Sequence, residues 1–167
     1  MTIKRNILLN PGPATTTDTV KAAQLVPDIC PREREFGTLM RTLGTDLLRV
    51  VQADPAQWAT VLFCGSGTIC MDACVSSLVP AGKKLLIVNN GAYSARAAEM
   101  ARAYSVPHID LTFPVDALPD LAAIERTLEE NPDIAAVYTT HQETGTGILN
   151  PVREIGARAH AHGAVMI

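Results

Sequence analysis

Short apolar runs alternate along this chain with segments of helical spacing, and that alternation restricts its fold more than any other feature. Residues 59–64, 85–88, 107–111, 134–138 and 164–167 read as strands. Residues 67–79, 93–104, 118–130 and 152–162 lie between them and read as helices. Each helical segment can return the chain from the end of one strand to the start of a parallel neighbour. The expected fold class is therefore α/β: a three-layer sandwich with a mostly parallel sheet and crossover helices. Composition agrees. The chain is 47% apolar but only 4% aromatic, and Ala-, Val-, Leu- and Ile-rich runs suit strands buried on both faces.

Proline and glycine punctuate this pattern. Residues 1–17 read as a loop segment, with Pro11-Gly12-Pro13 ahead of three threonines. Asp18 is a candidate cap for a short helix reaching about Leu25. Residues 33–52 show helical spacing through Phe36, Met40, Leu43, Leu47, Val50 and Val51. Pro80-Ala81-Gly82 reads as a helix stop. The expected organisation is an N-terminal segment, 1–17, and one partial domain, 18–167. The last residues read as a strand that has barely begun, so the expectation is a domain whose C-terminal part is missing.

Charge and cysteine content narrow the function classes. A net charge of −3 makes no electrostatic case for nucleic acid or an anionic membrane. No apolar run approaches a membrane span. The basic start, Met1 to Asn6, lacks the apolar core and small-residue cleavage site of a signal peptide. Cys70 and Cys74 share a helix face and admit a metal or redox reading. Small core-filling thiols in a reducing cytoplasm are the plainer one, and the expected location is cytoplasmic.

Three polar loops follow apolar runs. In the first, Val61-Leu62-Phe63-Cys64-Gly65-Ser66-Gly67-Thr68, a buried strand is expected to run through a glycine hinge into a helix. Such a junction offers free backbone N–H groups and a helix dipole to an anion. It is neither GxxxxGK[ST] nor GxGxxG, since position 70 is Cys. A single phosphate held by Ser66, Gly67 and Thr68 is one reading. A tight turn with Ser66 as helix cap is the other. The second loop, Asn89 to Tyr93, sets an aromatic ring just after a turn, either to stack on a planar cofactor or to pack on the sheet edge. The third, His141 to Gly147, is polar enough to bond a heteroaromatic ring through Glu143 and Thr144, or to be a solvated turn. His141 and Glu143 have no third ligand nearby to make a metal site.

Taken together, these loops resemble the class V branch of the fold-type I pyridoxal-phosphate enzymes. The resemblance runs through Leu8-Leu9-Asn10-Pro11-Gly12-Pro13-Ala14-Thr15-Thr16, Asp28-Ile29-Cys30-Pro31-Arg32-Glu33, Gly65-Ser66-Gly67-Thr68, Asn90-Gly91-Ala92-Tyr93 and the stretch from His141 to Pro151. It covers essentially the whole chain. Within the branch, the chain is similar to enzymes that move the amino group of 2-aminoethylphosphonate to pyruvate. Transaminases of the alanine–glyoxylate or serine–pyruvate type are the alternative, as is a non-catalytic phosphate-binding module.

The resemblance implies pyridoxal 5'-phosphate as cofactor, with Ser66, Gly67 and Thr68 on its phosphate. Tyr93 would stack on the pyridine ring and Thr144 would bond the ring hydroxyl. Asn10, Gly12, Pro13 and Thr15 would border the substrate. Arg32 and Arg34, near the expected entrance, are either phosphonate contacts or ordinary surface arginines. A homodimer is implied, with no metal, nucleic acid or membrane partner. Such enzymes also need an aspartate on the pyridine nitrogen and a lysine that forms a Schiff base. The lysines here are Lys4, Lys21, Lys83 and Lys84, and the last two begin a strand, at the sheet end opposite the loops. No residue of this chain is therefore assigned a catalytic role; both groups are expected beyond Ile167.

Overall fold

The computed structural model describes residues 6–167. Residues 1–5, including Lys4, lie outside the described residues. The chain divides into two compact units, meeting in sequence at Cys64 and Gly65.

The first unit holds α1 (Asp18–Ala22) and α2 (Arg34–Val50). α1 is capped by Thr17, whose side chain accepts from Val20 N at 3.4 Å. Asp18, the expected cap, is instead the first helical residue, one position past the extended backbone that a cap requires. α2 matches the spacing seen in the sequence. The expected strand at 59–64 does not form. Val61 is 75% exposed and Phe63 50%, and no ladder partner reaches the segment among the described residues. Apolar content marks a segment for burial, but a strand exists only by pairing.

The second unit is the expected α/β layer structure. It runs α3 (Gly67–Ser77), β1 (Lys84–Asn89), α4 (Ala92–Ala103), β2 (His108–Thr112), α5 (Leu121–Glu130), β3 (Ile134–Thr139), α6 (Val152–Ala161) and β4 (Val165–Met166). All four strands are parallel, in the order β2-β1-β3-β4. β1 sits inside the sheet, and Leu85 to Val88 are fully buried. Its side chains alternate between two cores. Leu86 and Val88 join Val137, Ile124, Leu128 and Ile155 on the α5/α6 face. Leu85 and Ile87 join Ala136, Tyr138, Val75, Ala97 and Ala101 on the α3/α4 face. The alanines let α4 lie close to the sheet.

Parallel direction puts the C-terminal ends of β1 and β3 on one edge, where the polar loops begin. Lys84 lies at the other edge and pairs with Asp133 at 3.0 Å. The four cysteines are free thiols. Among the described residues, no helix is long and apolar enough to cross a membrane, and no cluster of His, Cys, Asp and Glu can hold a metal ion.

Candidate active site

A cavity of ≈ 310 Å³ opens where α3 begins and where β1 and β3 end. Gly67, Tyr93, Tyr138, Thr139, His141 and Thr144 are among its lining residues. Thus all three polar loops reach the same space, through Gly67, through Tyr93, and through His141, Gln142 and Thr144. A larger cavity, ≈ 520 Å³, lies in the first unit between α2 and residues 55–62. It carries Arg41 but not the convergence of strand-end polar groups that marks the smaller one.

α3 starts at Gly67 because Ser66 is extended and the helix follows directly. Ser66 occupies the cap position, yet its side chain makes no capping bond. The backbone N–H groups of a first helical turn have no intrahelical acceptor, so this end favours an anion. Open space surrounds Gly67 on the side where a Cβ would stand. Thr68 is half-buried, and its Oγ1 accepts from Arg96 Nη1 at 3.4 Å. The Arg96 guanidinium also lies 5.1 Å from the centroid of the Tyr93 ring. Arg96 was not singled out in the sequence. The available signal was its place one helical turn after Tyr93.

The other two loops are tied together by buried polar groups. Asn90 and Asn150 form a reciprocal amide pair, at 2.8 and 3.0 Å. Asn90 also donates to Ala117 O at 3.2 Å, and Asn150 to Thr140 O at 2.7 Å. Both are essentially buried. The segment from His141 to Asn150 closes on itself as a hairpin-like turn, with Glu143 N donating to Ile148 O and Gly147 N to Glu143 O. Glu143 does not face the cavity with Thr144. It is 1% exposed and packs against Gly91, apart from the residues that line the cavity. Its expected contact with a heteroaromatic ring is therefore not available in this arrangement.

Burial raises the Tyr138 phenol above its ordinary pKa, the largest of several influences on it. The ring therefore enters the cavity wall as a neutral hydrogen-bonding group. Thr139 Oγ1 is buried beside it with no protein partner. Burial likewise raises the Cys74 thiol, with Cys70 adding to the shift, which leaves Cys74 a neutral packing residue. Asn10, Gly12, Pro13 and Thr15 belong to the first unit. There Leu8 N donates to Thr15 Oγ1 at 2.7 Å and Asn10 Nδ2 to Pro13 O at 3.3 Å, across a cis Gly12–Pro13 peptide. Arg32 and Arg34 are exposed in the same unit.

The family model for class-V aminotransferases matches residues 29–167. The chain belongs to the class-V aminotransferase family. Among curated proteins it is 39% identical, over 96% of its length, to a 2-aminoethylphosphonate–pyruvate transaminase of Lactiplantibacillus plantarum. It is 34% identical, also over 96% of its length, to one of Lysinibacillus sphaericus. It spans 44% and 43% of those two proteins, less than half of each. Among solved structures, alanine–glyoxylate aminotransferase from Nostoc sp. superposes with a TM-score of 0.86 at 26% identity, covering 99% of this chain and 43% of that one. Pyridoxamine–pyruvate aminotransferase from Mesorhizobium loti gives 0.88 at 23% identity, covering 97% and 41%, which speaks for the fold.

Class-V aminotransferases depend on pyridoxal phosphate, and the cavity suits such a group. It combines a helix N-terminus with open space at Gly67, an aromatic ring at Tyr93 and an unpartnered buried hydroxyl at Thr139, while the Arg96 guanidinium lies beside it against Tyr93 and Thr68. An anion, a planar ring and a ring substituent each find a partner of matching chemistry.

Proposed function

We propose that the full-length protein carrying this chain transfers the amino group of 2-aminoethylphosphonate to pyruvate, giving phosphonoacetaldehyde and alanine. One observation carries this reading. Gly67, Tyr93 and Thr144 converge on one cavity, in a chain whose curated relatives at 34–39% identity are named for that reaction. Residues 18–167 supply much of the cofactor-binding domain, and residues 1–17 a substrate-side segment. The free thiols support a cytoplasmic location. The resemblance to class V enzymes supports a homodimer.

In this reading Ser66, Gly67 and Thr68 hold the cofactor phosphate, aided by the charge of Arg96. Tyr93 lies against the pyridine ring and orients it, while the Thr144 hydroxyl bonds the ring hydroxyl. Asn10, Gly12, Pro13 and Thr15 line the approach of the substrate. When bound, pyridoxal phosphate supplies an electron sink for the amino-bearing carbon. Among the described residues no lysine lines the cavity, and the cofactor-binding lysine and the aspartate for the pyridine nitrogen are left unassigned in this chain.

The deciding assay offers the full-length protein 2-aminoethylphosphonate with pyruvate, and separately alanine or serine with glyoxylate or pyruvate. Turnover of the phosphonate pair should dominate, and the 167-residue chain alone should turn over neither. Preference for alanine and glyoxylate would move the protein to another branch of the family. Thr68→Ala should weaken pyridoxal-phosphate binding by about 1.5–3 kcal/mol, the value of a hydrogen bond to a charged group. Unchanged affinity in a fluorescence titration removes Thr68 from the phosphate site.

A further inference from the structure

Glu143 is a buried side chain that the proposed chemistry does not use. It is 1% exposed, one carboxylate oxygen accepts from Gly145 N at 3.4 Å, and the other, Oε2, has no hydrogen-bond partner. The side chain lies flat against the backbone of Gly91. A Cβ built on Gly91 would overlap it from Cγ through Cδ to Oε2. Gly91 is extended, with φ 178°, a conformation that any residue adopts. The glycine is therefore required by the neighbour and not by its own dihedral angles. The overlap involves Cγ as well as the carboxylate tip, so rotating the tip alone does not clear it.

The position of this contact gives it a role. Gly91 caps α4, and Tyr93 is the second residue of that helix. Glu143 directly precedes Thr144. Tyr93 and Thr144 both line the cavity. The Asn90–Asn150 pair and a 3.5 Å contact between Ser94 and Thr140 hold the same two loops together. Those contacts draw the loops inward, whereas the Glu143 side chain wedged on Gly91 sets how near they can come.

We infer that Glu143 is a positioning residue: packed on Gly91, it fixes the separation of Tyr93 and Thr144 and so the width of the slot for the cofactor ring. The inference rests on the pyridoxal-phosphate reading above. Glu143 touches neither the ring nor the substrate. It acts through its volume and place, and Gly91 is its necessary counterpart. A side chain at 91 pushes the loops apart, and loss of the side chain at 143 lets them close. Either change misplaces groups that must meet a rigid ring, and misplacements of about 1 Å are felt strongly.

The test is a double-mutant cycle in the full-length protein with Gly91→Ala, Glu143→Ala and both together, plus Glu143→Gln as a shape-preserving control. Pyridoxal-phosphate affinity, the visible circular dichroism induced in the bound cofactor and thermal unfolding without cofactor are measured. Each alanine variant alone should lose about tenfold or more in affinity and change the induced signal. The double variant should recover most of the Gly91→Ala loss, because the new methyl group then occupies space that Glu143 vacated. Glu143→Gln should stay within about threefold of the parent, about 0.7 kcal/mol. If Gly91→Ala yields no soluble protein, the double variant must yield it. Multiplicative losses, or a Glu143→Ala protein with unchanged affinity and induced signal, overturn the inference while leaving the cofactor reading intact. A parent protein that does not bind pyridoxal phosphate overturns both.

Discussion

The first unit of this chain is the richer in leucine and valine, yet the two units use these residues in opposite ways. In residues 65–167, β1 presents alternate side chains to two cores, and Leu85 to Val88 have no exposed surface. In residues 6–64 no residue is buried. α2 is as amphipathic as any helix here, yet Met40, Leu43 and Leu47 remain 37–43% exposed. The difference shows that an apolar stripe is only half of a core. A sheet with helices on both faces supplies the opposing layer for every stripe, and a helix with an unpaired extended segment does not.

Matched substitutions can break or sharpen that contrast. The largest effect is expected at Leu86, where truncation to alanine should cost about 2–5 kcal/mol in denaturant unfolding, and Leu43→Ala under about 1 kcal/mol. An equal loss at Leu43 would mean that its helix face is covered in solution. A smaller effect is expected at two asparagines. Asn150→Ala leaves the buried Asn90 Oδ1 without its donor and should cost about 1–3 kcal/mol, whereas Asn10→Ala removes one exposed bond and should cost under about 0.5 kcal/mol. Hydrogen exchange of the backbone around Asn90 would localise the first loss; uniform protection there would sink the assignment. The smallest effect is expected at the helix caps. Asp120 accepts from Ala122 N at 2.8 Å and Thr17 from Val20 N at 3.4 Å. Replacing Asp120 by alanine should lower stability by about 1 kcal/mol, and replacing Thr17 by under about 0.5 kcal/mol, by thermal unfolding. A reversal of that order would show that cap geometry does not track bond length in this fold.

What was legible in the sequence follows the same division. The helices and parallel strands of the second unit could be read because their periodicity, stops and caps are local signals. Their ends moved by a few residues, as at α5, which starts after Asp120 instead of at 118. The segment 59–64 was misread because the amino acids of a buried strand say nothing about whether a neighbour is there to pair. The three cavity loops could be located from their position after apolar runs, and Gly67, Tyr93 and Thr144 do share one cavity. Glu143 could not be distinguished from Thr144 by inspection. Which of two adjacent polar residues faces a cavity depends on the turn that carries them. Arg96 escaped notice for a related reason: only the folded helix brings it over Tyr93 and against Thr68.

The reciprocal pairing of Asn90 and Asn150 has a consequence for the conditions under which this edge of the sheet holds. Each amide gives one hydrogen and takes one, and neither group titrates or carries a net charge. At the opposite edge the contacts are ionic, as between Lys84 and Asp133, and such partly exposed pairs weaken as salt screens them. A rise in ionic strength therefore weakens the Lys84–Asp133 contact and leaves the Asn90–Asn150 pair unchanged. The amide pair itself, hydrogen-bonded both ways and neutral, offers nothing for salt to screen or for a proton to change.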